Sequence, residues 1–341
     1  MAEAKPTLDE WRRLYKAAMR LKDLAPWKWM EETDLFGVQN PETSELGFAS
    51  IMGQLGEHLA LALYLGQEGL SMFWNYEAVA AYAPAEELLE IPHLQASFED
   101  RDQLSERDRQ VIKGLGLKFR GRQAWPMFRS YRPGSCPYYL EPAEARFLTC
   151  ALEQAAELAP RVGDNPELLN PPGEDTYLVR VPREEAGRLV WEDRVQTVPL
   201  VEPEPISIPM DLDLLEALKE LPQTLTLEAD LFLAPICIGE RDTRPYFPYM
   251  LMAVEAEHGF VLASELMEPR PTPQAAKGQV PLKLVSRLTQ LGSAPREVRV
   301  RTPLLFALLQ PLAEEVGFQL TPVSAMPMLD EAKEFMLSRL S

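Results

Sequence analysis

The chain has 341 residues, 46% of them hydrophobic and 25% charged, with a formal net charge of −18. That is the composition of a soluble globular protein long enough for two domains, and its sign disfavours non-specific attraction to nucleic acid or anionic membranes. No run of about 18 apolar residues exists to span a bilayer. Three cysteines, none in a C-x-x-C pair, and only three histidines argue against a Cys/His zinc site. The first 22 residues are charged throughout and lack an apolar core, as expected of a cytoplasmic protein.

Leu8, Trp11, Leu14, Tyr15, Ala18, Leu21 and Leu24 recur at helical spacing, and Pro26 stops the helix. The segment that follows is rich in residues with special conformational needs. It contains Pro26-Trp27-Lys28-Trp29-Met30, then Asp34-Leu35-Phe36-Gly37-Val38-Gln39-Asn40-Pro41-Glu42, Met52-Gly53-Gln54-Leu55-Gly56-Glu57 and Tyr64-Leu65-Gly66-Gln67-Glu68-Gly69-Leu70. Such glycine density marks specified backbone geometry. Gly53 to Glu57 lacks the lysine of a P-loop and the third glycine of a dinucleotide turn, so a structural turn is the better reading. Leu35 to Val38 and Leu46 to Met52 read as a β-hairpin around Asn40 to Thr43. Asp34, Glu42, Glu45 and Glu57 are candidates for an acid cluster around it.

From Glu57 onward, Leu59, Leu61, Leu63 and Leu65 with interleaved alanines suggest a buried helix ending at Gly66. A second helix runs from Leu70 to Tyr82. On a helix, neighbouring Glu57 and His58 point about 100° apart and form no dyad. Next come a strand (His93 to Phe98), a helix (Ser105 to Leu115), a strand (Trp125 to Tyr131), a long helix (Glu141 to Leu158) and a hairpin (Thr176 to Val181 with Leu189 to Val198). Pro199, Pro203, Pro205 and Pro209 make an extended connector, so an N-terminal mixed α+β domain at 1–200 and a second domain at 211–341 flank residues 201–210. Beyond a short helix from Leu212 to Leu221, the elements read strand, strand, strand, helix, strand, helix, strand, helix.

Between Arg109 and Leu140 stand seven basic residues and no acid. Arg120, Arg122, Arg129 and Arg132, with Trp125 among them, are the ligand-binding candidates, because arginine beside aromatics holds anions and stacks on bases. Pairing of these arginines with the acidic remainder of the chain, internally or in a homodimer, is the competing and favoured reading. Cys136, between Ser135 and Pro137, is the one cysteine in a turn-like context, and no base is assigned to it.

The order βββαβαβα resembles the ribonuclease H and integrase superfamily over about 120 residues. That resemblance implies acids in the first strand, near the end of the fourth and on a late helix, holding two Mg²⁺ for phosphodiester attack. Asp230 matches the first, and Glu331 or Glu334 the last. The fourth strand offers Arg299 and Arg301 where a carboxylate is needed, which implies a scaffold without its catalytic metal. The motifs from Trp11 to Leu70 are similar to those of an uncharacterised bacterial protein family of unknown function. The expectation is a non-enzymatic binding or regulatory protein without a cofactor, recognising a protein or anionic ligand through its N-terminal surface. The alternative is a divergent Mg²⁺-dependent nucleic-acid-processing enzyme using Asp230, Glu331 and Glu334.

Overall fold

The structure is a computed structural model that describes residues 4–80, 85–202, 204–240 and 243–339. The chain divides into two compact units, Met1–Pro133 with Pro137–Glu202, and Gly134–Cys136 with Pro203–Ser341.

The first unit contains helix α1 (Leu8–Leu24), strands β1 (Phe36–Gln39), β2 (Leu46–Met52) and β3 (Ala60–Leu65), helix α2 (Gly66–Glu77), strand β4 (His93–Glu99), helix α3 (Glu106–Gly114), strand β5 (Trp125–Tyr131), helix α4 (Pro142–Asp164) and strands β6 (Thr176–Glu185) and β7 (Arg188–Thr197). One sheet of order β5-β4-β3-β2-β1-β6-β7 collects all seven strands. Among the described residues of this sheet, only the β1–β6 pairing is parallel. Leu61, Leu63, Leu94, Ala96 and Phe128 pack beneath α1 and α4 on one face, while Phe48, Ala62 and Tyr64 meet Leu70 and Phe73 of α2 on the other.

This two-sided burial corrects one expectation. The segment predicted to be a helix from Glu57 is β3, and α2 begins where that helix was to end. Its leucines alternate with small or aromatic residues at a period of two, so both faces are apolar and no polar face announces a strand. The predicted end of the following helix, Tyr82, lies outside the described residues.

Local chemistry explains the ends. Thr7 accepts from the Glu10 N–H, and the Glu10 carboxylate accepts from the Thr7 N–H at 2.7 Å, a reciprocal cap that starts α1. In the signature segment, Gly53 has φ +124°, and Gly69 lies so close to the Pro92 carbonyl that a Cβ would stand 2.9 Å from its oxygen. The acids proposed as a cluster do not gather as one site: Glu42 accepts from Arg146 at 2.6 Å, and the same guanidinium reaches Glu10 at 2.6 Å.

The second unit contains α5 (Leu212–Lys219), β8 (Gln223–Leu233), β9 (Tyr249–Glu255), β10 (Val261–Met267), α6 (Pro273–Gly278), α7 (Val280–Leu291), β11 (Ala294–Val300), α8 (Pro303–Val316), β12 (Gln319–Pro322) and α9 (Pro327–Leu337). Its sheet order is β10-β9-β8-β11-β12. The first three strands form an antiparallel meander, and β11 and β12 continue parallel to β8. Leu227, Ala229, Leu251 and Ala253 face α5, α7 and α8; Met250, Met252 and Val254 face α9 on the other side.

Cys136 and Cys237 form a disulfide within this unit, 101 residues apart in sequence. The Cys136 N–H donates to the Pro245 carbonyl at 3.0 Å and the Phe247 N–H to that of Gly134 at 3.1 Å. The proline-rich connector divides in its attachments. Val201 N–H donates to Ser71 Oγ at 2.8 Å in the first unit, whereas Ile206 and Ile208 pack into the core of the second. Pro203 lies outside the described residues. Among the described residues, no helix is long and apolar enough to cross a membrane.

Candidate functional site

The apolar stripe of α1 turns Trp11, Leu14, Ala18 and Leu21 into the core, which leaves the opposite flank to Arg12, Lys16 and Arg20. These three are spaced i, i+4, i+8, so they share one face of the helix. Like charges at that spacing destabilise a helix by about 0.2–0.5 kcal/mol per pair. Asp9 pairs with Arg12, but Lys16 has cations one turn away on both sides.

That face borders a cleft of about 850 Å³ between α1, the Leu115–Leu117 segment that leaves α3, and α4. Its floor and walls are mostly apolar, from Tyr15, Met19, Leu24, Leu115 and Leu117, with one acid, Asp23, beside the three cations. Ala156 and Pro160 of α4 close it. Pro160 lies inside the helix and has no N–H to give the carbonyl of Ala156, four residues earlier. Nearby, Trp29 of the tryptophan motif donates its indole N–H to the Ala159 carbonyl at 3.0 Å and lies against Gly163, where a Cβ would stand 3.3 Å from it. Burial pushes the Tyr15 phenol well above its usual value, with the negative charge of Asp108 adding to the effect, so the hydroxyl stays neutral at physiological pH.

The arginine candidates fall into two groups. Arg129 makes a two-pronged pair with Asp108 at 3.0 and 2.7 Å. Arg132 reaches Glu141 at 2.9 Å and Glu144 at 2.8 Å. Trp125 packs edge-on to Phe119, with the Arg101 guanidinium 5.9 Å from its ring centre. These contacts hold β5, α3 and α4 together. Arg120 and Arg122 instead stay exposed on the segment that continues from Leu117, and Asp100 approaches Arg122 only at 3.9 Å. Burial opposes ionisation of Asp108, yet the hydrogen bonds and charge of Arg129, with help from Ser105, hold its carboxyl below the usual value.

His58 lies in the turn before β3 and not on a helix, and its Nε2 hydrogen-bonds the Gln95 side-chain amide at 2.7 Å.

In the second unit, Asp230 is buried, and burial raises its pKa while the positive charges of Lys333 and Arg301 oppose the rise. Lys333 Nζ stands 3.7 Å from the centre of the Phe232 ring, and Arg301 pairs with Asp330 at 2.5 Å. Two residues before Asp230, buried Glu228 accepts from the Leu329 N–H at 2.8 Å and caps α9. Glu331 lines a separate cavity with His258, and Glu334 is exposed. Among the described residues, only Glu255, Glu257 and His258 bring three potential metal-ligating atoms within 4.8 Å. Glu255 there accepts the N–H groups of Glu257 and His258 at 2.9 and 2.6 Å, which explains the cluster as a turn cap.

The cleft escaped the sequence reading because its walls come from three distant segments, although the cation spacing in α1 is visible in the sequence. Residues 11–180 match a family model described as a domain of unknown function, DUF7309, and residues 214–337 match a second, DUF6930. No curated protein matches the chain. The first matched span runs from α1 into β6 and contains the whole cleft lining from Arg12 to Pro160.

Proposed function

For a chain that belongs to an uncharacterised family with two domains of unknown function, we propose a non-enzymatic binding role, in which the first unit takes an anionic ligand with an apolar body. The observation that carries this is the cleft: Arg12, Lys16 and Arg20 on one helix face beside an apolar floor. An anionic head group meets the cations and offsets their mutual repulsion. The body of the ligand covers Met19, Leu24, Leu115 and Leu117, at about 0.8 kcal/mol per buried methylene. A cleft near 850 Å³ falls in the roughly 300–1,000 Å³ range of small-molecule sites. Exposed Arg120 and Arg122 extend the positive surface beyond Leu117.

Anilinonaphthalene sulfonate, an anionic aromatic amphiphile, tests this by fluorescence titration. Saturable binding is expected to weaken about tenfold or more in Arg12→Ala/Lys16→Ala/Arg20→Ala, and about twofold in Arg120→Ala/Arg122→Ala, whose cations are more distant from the floor. Unchanged binding in the triple variant would contradict the cleft.

The strand order β10-β9-β8-β11-β12 supports a ribonuclease H-like reading of the second unit. Mg²⁺ does not suit the residues present there, because Lys333 and Arg301 already supply positive charge beside Asp230 and neither Glu331 nor Glu334 joins it in a close ligand group. We therefore propose the scaffold without two-metal chemistry.

A further inference from the structure

Helix α9 covers β8 and β9 but leaves β10 bare on the same face. Val261 and Leu266, which point to that face with Ser264, are 49% and 52% exposed, and Phe335 of α9 is 61% exposed. Between them opens a cavity of about 360 Å³, bordered by Met252, Met328, Met336 and Phe335. Unbranched methionines repack around varied apolar partners, which suits such a surface to docking.

Width and charge narrow the occupant. Helices packed side by side sit roughly 8–10 Å apart, about twice the spacing of neighbouring strands. A helix laid beside α9 therefore comes to rest over β10, where the sheet is uncovered. Glu331 and Glu334 follow one another along the exposed flank of α9, and Glu257 stands in the turn beside His258 at the cavity mouth. Lys333 is turned to Phe232 and Asp330 to Arg301. Arg339, 4.5 Å from the Phe335 ring centre, adds one cation at the far end. The balance of charge around the groove is acidic.

We propose that this groove docks a basic amphipathic helix of a partner protein, its apolar face on Val261, Leu266 and Phe335 and its lysines or arginines against Glu331 and Glu334. Those two acids, candidates for metal ligation from the sequence, thereby gain a role in partner recognition.

The test uses the full chain and two labelled model helices of 14 residues, one of leucine and lysine and one of leucine and glutamate, followed by fluorescence anisotropy. The lysine helix is expected to bind saturably and at least about tenfold more tightly than the glutamate helix. Val261→Asn is expected to weaken lysine-helix binding about tenfold, with Leu266→Asn as a second disruption at an exposed position. Glu331→Lys/Glu334→Lys should reduce or reverse the preference between the helices. Circular dichroism establishes that each variant is folded. Lysine-helix affinity unchanged in both the apolar and the charge variants would place binding on the general acidic surface and overturn the proposal. A chain that is dimeric by light scattering and becomes monomeric on Val261→Asn would assign the groove to a second copy, also overturning it.

Discussion

Arg129 and Asp108 form a two-pronged ion pair, with both side chains nearly buried, and the pair joins edge strand β5 to helix α3. Ser105 strengthens it: its hydroxyl donates to the same carboxylate at 2.6 Å, and the Tyr139 hydroxyl donates to Ser105 Oγ at 2.9 Å. This network, rather than a ligand, accounts for the most buried arginine of the acid-free stretch.

Removing one partner leaves a buried charge without compensation. Arg129→Met should cost about 3 kcal/mol in urea unfolding at pH 7, while adding Asp108→Leu should recover part of that loss. Because the folded-state pKa of Asp108 is depressed, its contribution is present above the unfolded value near 4 and is lost as pH falls through the lower folded value. A double variant no more stable than Arg129→Met would argue against the pair.

His93 predicts a separate acid sensitivity. Its Nδ1 hydrogen-bonds the Ile91 carbonyl at 2.8 Å, its ring stacks on Tyr131 with centres 4.0 Å apart, and burial lowers its pKa from 6.5 to about 4. The folded protein keeps this ring neutral while the unfolded chain protonates it, so stability falls as pH drops from about 6.5 towards 4. Between pH 7 and 5 the loss from this residue is roughly 2 kcal/mol. His93→Phe should flatten that part of the stability–pH curve; an unchanged slope would show that His93 does not control it.

The Cys136–Cys237 bond leaves Cys150 as the free thiol. Peptide mapping without reductant should recover residues 136 and 237 in one cross-linked species. Closing a loop of this length stabilises a fold by about 3–5 kcal/mol in the chain-entropy view, so Cys136→Ser/Cys237→Ser should lower the urea midpoint markedly. Alkylation of all three cysteines in the native, unreduced protein would refute the bond.

Gly278 faces the connector. A Cβ there would stand 2.2 Å from the Ser207 carbonyl oxygen, a backbone contact that no side-chain rotation relieves. Gly278→Ala is expected to displace residues 206–208 and to speed proteolysis between the units several-fold. An unchanged cleavage rate would show that this contact does not restrain the connector.

Strong periodicity made most of the architecture legible. The amphipathic stripe of α1 and the turn Asn40 to Thr43 between the two apolar runs of β1 and β2 mark their elements, and the second unit has the order β, β, β, helix, β, helix, β, helix, with α6 as an added short turn of helix. β3 was obscured by leucine and alanine, whose helix preference yields here to a sheet buried on both faces. The acid-free stretch was deceptive for a different reason: Asp108 lies one residue before it, while Glu141 and Glu144 lie just after it, so the window excluded the partners that the fold supplies. The disulfide joins positions 101 residues apart, and the cleft joins α1 to Leu117 and Pro160. Neither separation leaves a local pattern.

The most direct measurement of the binding role is a calorimetric titration of the full chain with octyl phosphate and, separately, octanol. Octyl phosphate should bind with a dissociation constant on the order of micromolar to tens of micromolar, weaken as salt is raised and lose its heat in Arg12→Ala/Lys16→Ala/Arg20→Ala, while octanol binds at least about tenfold more weakly. Equal heats from the triple variant and the unaltered chain, or octanol binding as tightly as octyl phosphate, would contradict an anion-binding cleft at α1.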